Sequence, residues 1–158
     1  MADLEHRATR VVAQTPAVVH DRLLELGERL RRETPPIPAG SQASTLLGIE
    51  GPVGIEMADR GPGRIDLRTT RGRIRGEGSA SIEPGADGAT NLTVQMAIRP
   101  QGFTANLVLG AALATMPGLE ARIRDGLERG LDDLVTELAK PDGEWDASAW
   151  QPPGLPST

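Results

Sequence analysis

Apolar residues near the start of the chain recur first with a period of two and then with a helical period. Residues 7–14 alternate in character, which predicts a strand. Thr15 and Pro16 then match an N-cap and the first helical position, where the missing N–H of proline is no loss. We therefore expect an amphipathic helix after the strand. Its apolar stripe is Val19, Leu23, Leu26 and Leu30.

In the middle of the chain, between residues 45 and 100, apolar and polar residues alternate with a period of two. Residues 33–42 hold three prolines and a glycine, which predicts an extended crossing. Turns rich in glycine and proline then separate short alternating runs, which predicts a meander of hairpins. With the first strand, these runs predict a curved antiparallel sheet of about six or seven strands. The predicted strands are residues 45–49, 53–58, 64–71, 73–83 and 90–99.

Alternation gives this sheet one dry face and one wet face. The dry face holds Ile55, Met57, Ile65, Leu67, Thr69, Ile74, Ala80, Ile82, Leu92, Val94, Met96 and Ile98. The wet face holds Glu56, Arg64, Asp66, Arg68, Arg73, Arg75, Glu77, Thr93 and Gln95. A sheet with one dry face needs a cover, and we expect that cover after the last strand.

A long amphipathic helix is predicted at that place. Its apolar stripe is Leu119, Ile123, Leu127, Leu131, Leu134 and Leu138. Gly126 and Gly130 each cost about 1 kcal/mol relative to alanine in a helix, so we expect a close approach of the helix to the sheet there. The fold class is α+β, with one domain at residues 1–140. Residues 141–158 lack periodicity and are expected to form a disordered or loosely docked tail.

Composition narrows the class of protein. The chain has 158 residues, a net charge of -5, no cysteine and 2% aromatic residues. The acidic balance and the scarcity of aromatic rings disfavour nucleic acid as a partner. Thiolate chemistry is excluded because cysteine is absent. No secretory signal and no span of about 18 apolar residues is visible, so we expect a cytoplasmic protein without a transmembrane segment.

No catalytic constellation is visible, and neither a metal nor another cofactor is expected. His6 and His20 are the only imidazoles, and neither has carboxylates at ligand spacing. No nucleophile-elbow or phosphate-loop motif is present, and the glycine-rich residues 61–64 fit a hairpin loop.

Arginines crowd two neighbouring predicted strands. Cross-strand pairing with acidic residues on a solvated face is their ordinary explanation. An acidic partner or a lipid headgroup surface is the alternative. The arginines are Arg60, Arg64, Arg68, Arg71, Arg73 and Arg75.

The order of these elements resembles the helix-grip fold of the START-like superfamily, also called SRPBCC or polyketide cyclase/dehydrase-like proteins. The resemblance covers residues 7–140. Residues 8–24 carry it as a strand that runs into a Thr-Pro-capped helix, and residues 98–138 as a last strand that breaks at Gly102 before a long helix. It implies a sheet wrapped around the C-terminal helix, with a cavity for a lipid, a polyketide or a similar apolar molecule. Many relatives carry an aromatic residue soon after the first helix, whereas both tryptophans here lie in the tail.

A run of small residues agrees with a cavity. Gly76, Gly78 and Ala80 leave little side-chain volume on the dry face. Either space remains there, or the helical glycines bring the helix down and fill it. Asp59 and Arg71 continue the inward parity at strand ends, as polar anchors for a ligand or as groups that turn to water. The expected cavity residues are Met57, Leu67, Thr69, Ile74, Gly76, Gly78, Ala80, Val94, Met96, Leu127 and Leu131.

Three functions stay open at this point. The first is a binding module for an apolar or amphipathic small molecule. The second is an enzyme of the cyclase or dehydratase type, which a buried titratable residue would favour. The third is a protein-interaction domain whose arginine-rich face meets an acidic partner, which a filled core would favour.

Overall fold

The chain folds as one antiparallel sheet with helices on its dry face. The computed structural model describes residues 4–150. The elements are β1 Leu4–Val12, α1 Pro16–Glu33, α2 Gln42–Leu47, β2 Ile55–Asp59, β3 Arg64–Thr69, β4 Ile74–Pro84, β5 Thr90–Pro100, α3 Gly102–Thr115 and α4 Leu119–Leu138. The strand order is β1-β5-β4-β3-β2, and every neighbouring pair is antiparallel. The α+β class is confirmed.

Residues 4–150 hold five strands, so the expected count of six or seven is wrong. The predicted strand at residues 45–49 falls largely within α2. The side chain of Ser41 caps this helix by accepting a hydrogen bond from the Ser44 N–H at 3.1 Å. Gly48 ends the helix in the left-handed conformation with φ 71°. These two end signals decide the local structure over a run too short to show a period.

The strand register confirms the dry face. Met57 lies opposite Leu67, and Gly78 pairs with both Leu67 and Met96. Met96 in turn lies opposite His6 on β1. β1 begins three residues earlier than predicted, so the inward positions of β1 include two polar side chains. The inward positions of β1 are Leu4, His6, Ala8, Arg10 and Val12.

Two helices, rather than one, cover the dry face. α4 packs against β1, whereas α1 packs against β2, β3 and β4. α4 has 20 residues and is therefore about 30 Å long, which is enough to cross the sheet. Leu92 and Leu138 are fully buried in the core between these layers.

α3 stands apart because its surface is apolar. It has no charged residue, and Phe103 is 78% exposed while Leu107 is 58% exposed. Ala105 and Leu109 are the buried residues among its described side chains. No helix within residues 4–150 has both the length and the hydropathy needed to cross a membrane.

The first part of the tail packs against the core. The indole of Trp145 donates to Glu25 Oε2 at 2.6 Å, and the carbonyl of Trp150 accepts from Arg29. Both tryptophans contact the hydrophobic core. Residues 141–150 are therefore docked, and the remaining expectation of disorder concerns 151–158, which lie outside the described residues. The domain boundary at residue 140 stays a prediction.

One buried side chain joins the two covering helices to the tail. The guanidinium of Arg22, on α1, donates to the carbonyl of Leu138 at 2.9 Å and also to that of Lys140. It donates to Asp142 Oδ1 at 2.8 Å and lies 4.9 Å from the ring centre of Trp145. Arg22 is 4% exposed, so these acceptors replace its water.

Replacing Arg22 by methionine is expected to lower the free energy of unfolding by about 2 kcal/mol, because the hydrogen bonds of a buried charged donor are lost and the carbonyl of Leu138 is left without that partner. Urea unfolding measures this change. Arg31→Met is the matched control, since Arg31 is 54% exposed and pairs with Glu28 on the same helix. That control is expected to change the stability by less than about 0.5 kcal/mol. Equal effects of the two variants would contradict the role of Arg22.

Candidate functional site

An apolar cavity of about 310 Å³ lies between the sheet, α1 and α4. Its helical walls are Leu23, Leu26 and Leu30 from α1 and Leu127, Leu131 and Leu134 from α4. Trp150 from the tail completes the lining. The space exists because two separate helices cover a curved sheet and neither fills the gap between them.

Eight of the residues expected around a cavity line this space. They are Met57, Leu67, Gly78, Ala80, Val94, Met96, Leu127 and Leu131. Thr69, Ile74 and Gly76 do not line it. The hydroxyl of Thr69 accepts from the Gly76 N–H at 2.9 Å, so these two residues satisfy each other. Ile74 is buried at the first position of β4, the strand that α2 contacts.

Neither expected polar anchor reaches the cavity. Asp59 lies 3.1 Å from Nε2 of His20 and accepts from the Gly61 N–H at 3.1 Å. Arg71 donates to the carbonyls of Pro52 and Glu50. Both side chains are therefore used at the edge of the sheet, where strand-end residues ordinarily turn to water.

Glycine keeps the floor of the cavity open. A Cβ built on Gly78 would meet only the carbonyls of Gln95 and Leu67, at 3.8 and 3.9 Å. The alternative that helical glycines fill this gap does not hold, because a Cβ on Gly126 would meet nothing within 4 Å. Gly130 is buried for another reason, since its carbonyl accepts from the Trp150 indole at 3.2 Å.

The close approach of a helix to the sheet occurs instead at Gly27 on α1. A Cβ there would overlap the sulfur of Met57. Gly27 and Met57 both line the cavity, so this contact sets its width at the β2 side. Nothing in the sequence singles out Gly27, because one glycine in a helix does not show what lies opposite it.

A polar network lies at the opposite wall, between β1 and α4. Nε2 of His6 lies 2.7 Å from Glu128 Oε1, and Arg10 pairs with the other carboxylate oxygen of Glu128. Arg10 also donates to Asp132 Oδ1 at 2.9 Å. Desolvation raises the pKa of Glu128, but hydrogen bonds from His6 and Arg10 outweigh it and hold that pKa below its ordinary value. Glu128 is therefore a carboxylate at neutral pH.

The predicted first strand begins at residue 7 and leaves His6 outside it, so this network was not predicted. The available signal was the parity of β1, because His6 is two residues before Ala8, and Ala8 is buried. Extending the strand to Leu4 would have placed His6 on the dry face.

Three of the six arginines on the arginine-rich face have acidic partners. Arg64 and Arg60 donate to Asp66 at 2.9 and 3.1 Å, and Arg68 binds Glu56 across the β2–β3 pair at 2.7 Å. Desolvation raises the pKa of Asp66, but the bonds from Arg64 and Arg60 lower it to below its ordinary value. Arg71 and Arg75 donate to backbone carbonyls instead. Residues 4–150 contain no group of three or more potential metal ligands.

Comparison with known proteins gives a fold and no close relative. No protein-family model matches the chain, and no curated protein sequence matches it. The solved structure of Ara h 8.0201 is 12% identical, with a TM-score of 0.50, and the match covers 84% of this chain and 95% of that one. A START superfamily protein from Mycobacterium smegmatis is 14% identical with a TM-score of 0.41, covering 77% of this chain and 98% of that one.

A longer protein also matches. It is BexL, a di-domain ARO/CYC from the BE-7585A biosynthetic pathway, which is 14% identical with a TM-score of 0.45. The match covers 85% of this chain but only 43% of BexL, so this chain spans less than half of BexL's length.

The strand order, the covering helices and the match to Ara h 8.0201 define the fold as a helix-grip fold. The resemblance found in the sequence is therefore confirmed at the level of the fold.

Removing the charge of Glu128 tests the network. Glu128→Gln is expected to lower the free energy of unfolding by about 1 kcal/mol at pH 7, because hydrogen bonds to a charged acceptor are lost. A carboxylate with a lowered pKa contributes its full stabilisation above its ordinary value, here 4.5, and loses it as the pH falls through its folded pKa. The difference from the original protein should therefore be smaller at a pH well below 4.5 than at pH 7.

Urea unfolding at both pH values measures this effect. Glu120→Gln is the control, because Glu120 makes an exposed pair with Arg124 one helical turn away. A Glu128→Gln effect that is equal at both pH values would contradict the charged network.

Proposed function

We propose that this chain binds an apolar or amphipathic small molecule in the cavity between the sheet, α1 and α4. The observation that supports this proposal is the cavity itself, with about 310 Å³ of space and an almost wholly apolar lining. Ligand pockets ordinarily measure about 300–1,000 Å³ and combine apolar walls with few polar groups. A lipid, a polyketide or a similar apolar molecule fits this description.

The apolar lining also argues that the space is built for a ligand rather than for water. A buried water needs two to four polar partners, which apolar walls do not supply. An empty space of this size costs stability, because the lining atoms lose contact with partners on one side. An apolar occupant would restore those contacts.

A cyclase or dehydratase activity is the second candidate. The observation in its favour is the His6–Glu128 pair, since the imidazole lines the cavity and the carboxylate holds it. An imidazole so oriented is a common general base. An interaction with an acidic partner gains less support, because the core is open and Arg60, Arg64 and Arg68 already pair with acidic neighbours.

Native mass spectrometry of the protein purified from its own host tests the proposal. A stoichiometric apolar passenger, identified after denaturing extraction, is the expected result. A clean mass for the bare chain, together with no thermal shift across a panel of lipids and polyketides, would contradict binding.

A large side chain introduced on the floor of the cavity should weaken binding without unfolding the chain. Gly78→Leu is expected to weaken the affinity for the uncharged fluorophore N-phenyl-1-naphthylamine at least tenfold, because the new side chain occupies the space that the ligand needs. The backbone at Gly78 has no positive φ, so leucine brings no strain there. Fluorescence titration measures the affinity.

Gly76→Leu is the matched control. Gly76 lies on the same strand and shares the parity of Gly78, but it does not line the cavity. The control is expected to bind the fluorophore as the original chain does. Circular dichroism checks that both variants fold. Unchanged affinity in a folded Gly78→Leu variant would place the ligand elsewhere.

A further inference from the structure

His6 is the single titratable side chain that lines the cavity within the described residues. Its side chain is 18% exposed, and its neighbours across the sheet and on α4 are Met96 and Leu127. The imidazole therefore lies on a mostly apolar wall, whose lining also includes Ser79 and Trp150.

The network behind His6 fixes which ring nitrogen carries the proton. Glu128 is a carboxylate and can only accept, so Nε2 of His6 must donate to it across 2.7 Å. Arg10 holds the other oxygen of Glu128, and Asp132 holds Arg10 in turn. In the neutral imidazole, Nδ1 is then an acceptor with a free lone pair. Nδ1 makes no hydrogen bond to any residue that the structure describes.

We infer that the ligand of this cavity carries a hydroxyl group, as an alcohol, a phenol or an enol, that donates a hydrogen bond to Nδ1 of His6. This inference rests on the proposed function and narrows the class of ligand. An unpaired acceptor beside an apolar wall loses free energy when a purely apolar ligand displaces its water, whereas a hydroxyl replaces that water. Ligands whose only polar atom is an acceptor gain nothing at this point.

Three naphthalenes of similar size test the inference in the original protein. Naphthalene has no polar group, 2-methoxynaphthalene has an oxygen that only accepts, and 2-naphthol has a hydroxyl that donates. Displacement of N-phenyl-1-naphthylamine at about pH 8.5, where histidine is ordinarily neutral, gives the three dissociation constants. We expect 2-naphthol to bind about three- to tenfold more tightly than 2-methoxynaphthalene, the effect of one neutral hydrogen bond.

His6→Phe is expected to remove that preference while it keeps the affinity for naphthalene, because it replaces one ring with another. His20→Phe is the matched control, since His20 does not line the cavity, and it should keep the preference. If 2-naphthol and 2-methoxynaphthalene bind the original protein equally, the inference is wrong while the proposed function stands. If neither the fluorophore nor any of the three naphthalenes binds, the proposed function fails with it.

The tautomer can be read without a variant that changes the cavity. ¹⁵N NMR of histidine distinguishes a protonated ring nitrogen from an unprotonated one, and the His20→Phe spectrum assigns the His6 signals. We expect Nε2 to carry the proton and the Nδ1 signal to shift when 2-naphthol binds. A proton on Nδ1 would overturn the inference even if every variant failed to fold.

Discussion

The architecture of the site depends on the hydrogen bonds that the buried guanidinium of Arg22 donates. Arg22 lies on α1, which packs on β2, β3 and β4. It binds the carbonyl of Leu138, the last residue of α4, and that of Lys140 just beyond the helix, and α4 packs on β1. Carbonyls at a helix end have no partner within their helix, so Arg22 supplies what α4 lacks. One side chain thereby holds two helices at a fixed spacing on one end, and the cavity is the space that this spacing leaves. A buried charge is stable there because each acceptor is in place.

The parts of the fold that depend on local period could be predicted from the sequence. α1 begins at Pro16 as expected, and the register confirms the dry faces of β3, β4 and β5. α2 could not be predicted from alternation, because Ser41 and Gly48 set its two ends and only six residues lie between them. A run of that length fits a strand or a helix equally well.

The candidate site shows the same division. Alternation along the strands correctly predicted that Met57, Gly78 and Met96 face the cavity. Alternation does not show how far along a strand the cavity extends, so Ile74 shares their face but does not line the cavity. The docking of Trp150 had no local signature, since it depends on a carbonyl of Gly130 and on Arg29 of α1. Contacts between residues distant in sequence decide such positions, and a single sequence does not display them.

Trp150 gives the cavity a property that goes beyond its shape. The indole is part of the lining, yet it belongs to the tail and stays in place through Gly130 and Arg29. A molecule that touches Trp150 binds the docked tail better than a released one. Thermodynamic reciprocity then requires the docked tail to strengthen binding by the same factor by which the bound molecule strengthens docking. Docking of the last described residues is thus coupled to binding in the cavity.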